Sequence, residues 1–322
     1  MRRAVLIVVF LAAVMLGVPL GTFALGSSRA ERSEPPESTT GPEEPGDAIT
    51  VFLAEENRVE EIDLTDYLVG VLAAEMPVSA PPEALKAQAA VSLTLARYMQ
   101  KGGAKADLAG AVISSDPGRH QGYFTEETRK ARFGADFEEI EEKLRAAAEA
   151  VRGVTIVYEG EPILAAFHAI SAGMTEDASN VWGGGYPYLS SVDSSWDRAD
   201  PGFESGAVLS PEAFFGALGL PVPDDPAAAV TDAVYSDAGY LLSVAVSGEA
   251  FTGREIRQKL SLRSSAAEIK WEDGAFHLTV RGYGHGVGMS QAGAMALAER
   301  GCLWKDIVLH YYPGASIDGA GA

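Results

Sequence analysis

From residue 48 onward the apolar positions fall into short runs of two periods, separated by Gly, Pro, Asn and Asp clusters. Residues 49–53 alternate as a strand does. Residues 65–75 predict a helix, with Leu68, Leu72 and Met76 at helical spacing and Thr65 as N-cap. Met76-Pro77 stops it, because the residue before proline is pushed out of the helical region. Pro81-Pro82 opens a second helix running to about residue 100, closed by Gly102-Gly103. Residues 136–151 read as a third, highly charged helix with Gly153 past its end. Residues 154–158 and 162–170 read as strands joined at Glu159-Gly160, and 234–235 with 241–246 as a further pair. Thr252-Gly-Arg-Glu255 has the form of a capping box. Residues 268–271 and 276–280 flank a hairpin turn at 272–275, and 290–300 form a helix ended by Gly301. Strands and helices in irregular order, without a βαβ rhythm or an internal repeat, predict an α+β fold.

The first 47 residues follow a different pattern. Met1-Arg2-Arg3 precedes an uncharged, mostly apolar run from Ala4 to Leu25. As a helix, these 22 residues would rise about 33 Å, enough to cross a bilayer core. The run is long for the apolar stretch of a cleaved signal, and no clear A-x-A site follows it. Arg2 and Arg3 place the N-terminus inside. Pro19, Gly17 and Gly21 weaken the helix and leave cleavage open. Residues 26–47 are rich in Ser, Pro, Glu and Thr and cannot bury enough surface to fold. The expected layout is a membrane anchor over 1–25, a solvated linker over 26–47, and one ectodomain over 48–322 outside the cytoplasm.

Composition narrows the chemistry. Lys and Arg total 25 against 45 Asp and Glu, a formal charge of −20. No basic stripe is available to neutralise phosphates, which argues against nucleic-acid binding. A single cysteine, Cys302, can form neither an intrachain disulfide nor a Cys-rich zinc site. The histidines at 120, 168, 277, 285 and 310 show no H-E-x-x-H or other tight metal spacing, and no G-x-S-x-G occurs. No metal and no cofactor are expected.

Three segments could carry chemistry. Glu75 sits among apolar residues at the C-terminal turn of its predicted helix. Apolar surroundings and the negative end of the helix dipole both disfavour the carboxylate, so both keep a proton available for general acid catalysis. An ordinary exposed helix-end glutamate is the commoner outcome for such a position. The second segment, 281–291, interleaves four glycines with Tyr283, His285 and Val287 directly before a helix. It reads either as a binding loop whose helix start offers free N–H groups, or as a structural turn around a buried histidine; the density of glycine favours the first. In the third, Phe167 to Glu176 is followed by an aromatic, glycine-rich stretch at 180–189, which fits a sugar-stacking surface and a hydrophobic mini-core equally. For His168 alone, a satisfied core histidine is the commoner outcome.

Taken together, the ordered motifs resemble the SpoIID/LytB family. They are Leu72-Ala-Ala-Glu-Met-Pro77, Glu83-Ala-Leu-Lys-Ala-Gln-Ala89, Gly173-Met-Thr-Glu176, Tyr186-Pro-Tyr-Leu189 with Ser191-Val192 and Trp196-Asp197, Gly282 to Gln291, and His310-Tyr-Tyr312. The resemblance implies a glycan-binding cleft in the ectodomain and lytic cleavage of peptidoglycan between N-acetylmuramic acid and N-acetylglucosamine. The strands would already be stripped of stem peptides by a partner amidase of the engulfment machinery. It makes Glu75 the catalytic acid, and the sugar's own 6-hydroxyl the nucleophile, so no second carboxylate is required. It places Lys86, Thr175 and Tyr188 along the cleft. We add Gln88, Arg97, Tyr283 and His285 to the expected glycan-binding set. The sequence departs from the family pattern at Leu93, where an arginine is usual and Arg97 stands one turn further along, and at Ala169 and Ala292. A zinc site near His120 found in some relatives is not expected, because Gln121 is its neighbour and no cysteine is close in sequence. A non-catalytic, amidase-enhancing role is the alternative within the same family.

Overall fold

The structure, a computed structural model, describes residues 48–319. The expected anchor and linker lie outside the described residues. Among the described residues no helix is long and apolar enough to cross a membrane.

The chain starts with an antiparallel hairpin of β1 (Ala48–Leu53) and β2 (Arg58–Asp63), which runs directly into α1 (Leu64–Glu75). Asp63, rather than Thr65, caps α1: its carboxylate accepts from the backbone N–H of Thr65 and Asp66. The hairpin ends so close to the helix that the cap must come from the last strand residue. Next come α2 (Pro82–Lys101), β3 (Ile113–Ser114), which adds to β1 in parallel, α3 (Glu126–Phe133) and α4 (Phe137–Ala150).

α2 is the hub. From Ala84 to Ala96 every residue except Lys86 is buried, so the helix is enclosed on all sides. Its alanines at 84, 87, 89, 90 and 96 let neighbours approach closely. It packs against α1, α4, α8 (Gln291–Glu299), α9 (Trp304–Tyr311) and β4 (Thr155–Tyr158). Burial of Leu72, Leu85, Leu93, Leu144, Ile156, Ile307 and Val308 closes this core.

The long strand expected over 162–170 does not form. Only β5 (Glu161–Pro162) pairs with β4, and Pro162 has no N–H with which to extend the ladder. β6 (Phe167–His168) instead pairs in parallel with β13 (Met289–Ser290). This contact seats the glycine-rich segment against the strand that leads into the 171–177 loop. After α5 (Ala178–Trp182), residues 204–281 build a second core from β7 (Glu204–Leu209), α6 (Pro211–Leu218), β8 (Val230–Tyr235), β9 (Leu241–Val246), β10 (Glu249–Thr252), α7 (Gly253–Lys259), β11 (Ala267–Glu272) and β12 (Ala275–Arg281). Phe214 and Phe276 stack with centroids 3.9 Å apart at its centre. β11, β12 and β7 form one antiparallel sheet, β8, β9 and β10 another. The capping box at Thr252 and Glu255 forms as expected. At the C-terminus, β14 (Ser316–Asp318) pairs with the free side of β4. The fold is α+β.

Candidate active site

Glu75 is the last residue of α1, and Met76 leaves the helix in extended backbone. The side chain is half-buried. Burial holds its carboxyl above the usual carboxylate range, against the pull of two hydrogen bonds from Gly122 and Gln291.

The 119–125 loop lies along one face of α1 and brings Gly122 to the carboxyl. Tyr67, Gly70 and Ala74 share that face at helical spacing. Tyr67 donor and acceptor capacity meets Gln121, whose Nε2 donates to the Tyr67 hydroxyl at 2.7 Å. Phe124 N–H donates to Gly70 O at 3.1 Å, and Tyr123 stacks on Tyr67 at 5.6 Å. With the loop clamped in this way, Gly122 N–H donates to Glu75 Oε1 at 2.5 Å. A Cβ on Gly122 would stand 3.1 Å from that oxygen and 3.2 Å from Ala74 Cβ, so the approach requires glycine.

The other carboxylate oxygen faces α8. Gln291 Nε2 lies 3.5 Å from Glu75 Oε2 and 3.5 Å from Gln88 Oε1. Gln88 donates in turn to Ser92 Oγ at 3.1 Å. Three separate parts of the chain therefore meet at one carboxyl, the end of α1, the 121–122 turn and the first turn of α8, and the middle of α2 backs the last of them through Gln88.

The start of α8 has its own anchor. Asp197, almost wholly buried, accepts from Ser171 N–H at 2.7 Å, Ser290 Oγ at 2.6 Å and Ser194 Oγ at 3.1 Å. Ser290 Oγ also accepts from Gly293 N–H as the N-cap of α8. Ala292 N–H donates to Ala169 O at 2.9 Å, so two positions that depart from the family pattern meet each other through the backbone. These bonds occupy two N–H groups, those of Ala292 and Gly293, in the helix start that the sequence offered to a ligand. They hold the helix that presents Gln291.

The expected site residues divide accordingly. Glu75 and Gln88 are brought together. Lys86 is not: it is two residues from Gln88, about 200° around the helix, and its ammonium pairs with Glu83 at 2.6 Å. Glu83 also accepts from Trp304 N–H at 2.8 Å, so this pair ties α2 to α9. Arg97 lies about 13 Å further along α2 from Gln88 and half a turn around it. Its guanidinium bonds to Val154 O at 2.9 Å and to the Thr155 hydroxyl, joining α2 to β4. Leu93 is buried in the main core. Neither Leu93 nor Arg97 supplies a cation beside Glu75.

Thr175 is fully buried, accepts from Val192 N–H at 2.9 Å, and clasps two loops together. Tyr188 is also buried; its hydroxyl accepts from Leu164 N–H at 3.1 Å and its ring meets Tyr158 and Tyr186. Tyr283 carries the Arg263 guanidinium over its ring at 4.6 Å. His285 Nδ1 accepts from Val287 N–H at 3.0 Å, and burial, with His168 and Arg257 nearby, pushes its pKa down to about 3. His168 is buried, with Nδ1 against Val287 O at 3.1 Å and its pKa pushed down by burial to about 4. Gly282, Gly284, Gly286 and Gly288 all take positive φ, and a side chain on Gly288 would collide with Ala166 O. In this loop the glycines serve close packing, while Tyr283 and His285 stay partly exposed. No group of three or more His, Cys, Asp or Glu among the described residues is placed to hold a metal ion.

Sequence reasoning missed Gly122, Gln121, Tyr67 and Gln291 as site residues. Gln291 lay inside a motif already singled out; its direct position after Ser290, a good N-cap, was the available signal.

The family described as Stage II sporulation protein, SpoIID, matches residues 54–158, which include α1, α2 and the 121–122 turn. The chain is 37% identical over 275 residues to Stage II sporulation protein D of Bacillus amyloliquefaciens, covering 85% of this chain and 79% of that protein. It is 36% identical over 277 residues to the protein of the same name from Bacillus subtilis (strain 168), covering 85% and 80%. The Amidase enhancer of Bacillus subtilis (strain 168) is 25% identical over 304 residues, covering 78% of this chain and 40% of that protein. The family match takes in α1, α2 and the 121–122 turn, and at the identity and coverage of the two Bacillus proteins the chain belongs to the SpoIID family of sporulation proteins.

Proposed function

We propose that this chain is a lytic transglycosylase that cleaves the N-acetylmuramic acid–N-acetylglucosamine bond in peptidoglycan strands stripped of their stem peptides. The observation that carries the reading is the protonated-state bias of Glu75 in a site with no second carboxylate among its hydrogen-bond partners. One acid of this kind is sufficient. Glu75 gives its proton to the glycosidic oxygen as the bond to C1 of the muramic acid breaks. The 6-hydroxyl of the same sugar then closes on C1, and its proton returns to the Glu75 carboxylate. The products are a 1,6-anhydro end and a free 4-hydroxyl. Gly122 N–H and the Gln291 amide steady the carboxylate between the two proton transfers.

The reading includes a single membrane anchor over 1–25, an ectodomain outside the cytoplasm, a peptide-stripping amidase as partner, and a role in engulfment during sporulation. Mass spectrometry of denuded glycan strands incubated with the protein tests the chemistry. Anhydro-ended fragments from the native chain, absent with Glu75→Gln, support it; intact strands with both overturn it.

A second reading has its own support. No cation replaces the arginine usual at position 93, and the chain is also similar to a protein named Amidase enhancer. On that reading the chain binds glycan without cutting it and raises the turnover of an amidase. Intact strands together with faster amidase turnover in a mixture would favour it.

A further inference from the structure

We infer that the loop following α5 forms a second glycan subsite, in which Trp182 and Tyr186 stack on pyranose rings of the strand away from the bond at Glu75. The inference rests on the reading of glycan as the substrate, but not on cleavage.

Trp182 is 40% exposed, although two other rings stand beside it. It stands 5.2 Å from His285 and edge-on to Tyr186 at 6.4 Å. Tyr186 leads to Tyr188 at 6.0 Å, and Tyr188 to Tyr158 at 5.4 Å. Packing is satisfied by the inner members of this row: Tyr188 is buried in the main core and its hydroxyl is hydrogen-bonded. Trp182 adds an indole face that the core does not use.

The backbone holds that face outward. Gly183, Gly184 and Gly185 take φ of +93°, +98° and +95° in succession, and a side chain on Gly183 or Gly185 would meet nothing. Here the glycines set the path of the loop rather than a close approach. Beside it runs an open groove of about 320 Å³, lined by Tyr186 and Pro187 together with Asp177, Ser179 and Ser190. An apolar ring next to hydroxyl and carboxylate groups matches a pyranose, whose C–H face is apolar and whose edge carries hydroxyls.

The position is separate from the acid. Tyr98 hydrogen-bonds to Tyr186 and lies ten residues beyond Gln88 on α2. That spacing corresponds to about 15 Å along the helix between Tyr98 and Gln88, the α2 residue that meets the Glu75 partner Gln291. The ligand class is therefore a glycan chain of several residues, gripped at a distance from the bond that reacts.

The test uses the full-length chain carrying Glu75→Gln, so that no strand is cut, and measures co-sedimentation with denuded glycan strands. Adding Trp182→Ala, or Tyr186→Ala, is expected to weaken retention about tenfold, whereas Trp182→Phe keeps most of it. Val208→Ser, at an exposed position on β7, serves as the control that changes nothing. Equal retention by the Trp182→Ala and parent proteins, at matched thermal midpoints, overturns the inference. Native chain that fails to cut glycan while Trp182→Ala still lowers retention removes the transglycosylase reading and leaves this subsite standing. Normal cutting with retention unaffected by Trp182→Ala does the reverse.

Discussion

Gln291 Nε2 lies 3.5 Å from Glu75 Oε2, across 216 residues of sequence. A donor at that oxygen favours the ionised carboxyl, so it opposes the effect of burial. Gln291→Ala removes the donor and should push the Glu75 pKa higher still. The alkaline limb of the activity–pH profile then moves to higher pH, while glycan retention is unchanged. An unmoved limb would separate Gln291 from the acid.

Glu75→Gln should lower cleavage by at least about a hundredfold, the usual contribution of a general acid. Fold and glycan binding should survive, since an amide can still accept from Gly122 N–H. Circular dichroism and co-sedimentation check the second half of this statement; anhydro-product yield checks the first.

The same residue links acidity to stability. The fold binds the Glu75 proton more tightly than the unfolded chain does, because burial raises its pKa above the unfolded value of about 4.3. Its contribution to stability is greatest at low pH and is lost as pH rises through that value toward the folded one. At neutral pH, Glu75→Gln should therefore melt at a higher temperature than the native chain. Below pH about 4 the two should converge. Thermal melts across pH decide the matter.

Gly122→Ala is expected to cost activity with little change in stability. The new methyl would press on Glu75 Oε1 and Ala74 Cβ, both nearer than ordinary contact, and would displace the carboxyl. A loss of about tenfold in kcat is the expected scale for a shift of a few tenths of an ångström. A variant with native kcat would show that the carboxyl has room to adjust.

Asp197→Ala leaves Ser171 N–H, Ser290 Oγ and Ser194 Oγ without their buried acceptor. The fold should lose about 3 kcal/mol, measurable by denaturant unfolding. A loss below about 1 kcal/mol would mean that water or a neighbour replaces the carboxylate.

The place of Glu75 was legible in the sequence because its reasons are local. Helix periodicity, Met76-Pro77 and an apolar neighbourhood place Glu75 at a helix end, and the helix does end there. Its partners were not legible. Gly122 is 47 residues away and Gln291 is 216, and their approach depends on Tyr67, Gly70 and Asp197 fixing a loop and a helix start. The hairpins at 159–160 and 273–274 both occur: Gly160, Asp273 and Gly274 are types that favour positive φ, and Glu159 adopts it beside its glycine. α6 and α9 were missed although Ser210, Pro211 and Gly219 punctuate the first. Each has eight residues, too few for periodicity to separate it from a loop. β6 and β13 have two residues each and exist only through their pairing with each other.

The second core enters and leaves the protein through one doorway. Glu204 and Arg281 are partners on neighbouring strands, and Gly282 N–H donates to Phe203 O at 2.7 Å. Everything between them is therefore a closed excursion, whose two ends are already held together by sheet hydrogen bonds. A short turn can stand in its place without stretching the chain on either side. A chain shortened in this way would keep Glu75 with Gly122, Gln291 and Gln88, none of which lies in the excursion, and would give up the bonds that Ser236 and Tyr240 make to Glu176 and Ala172.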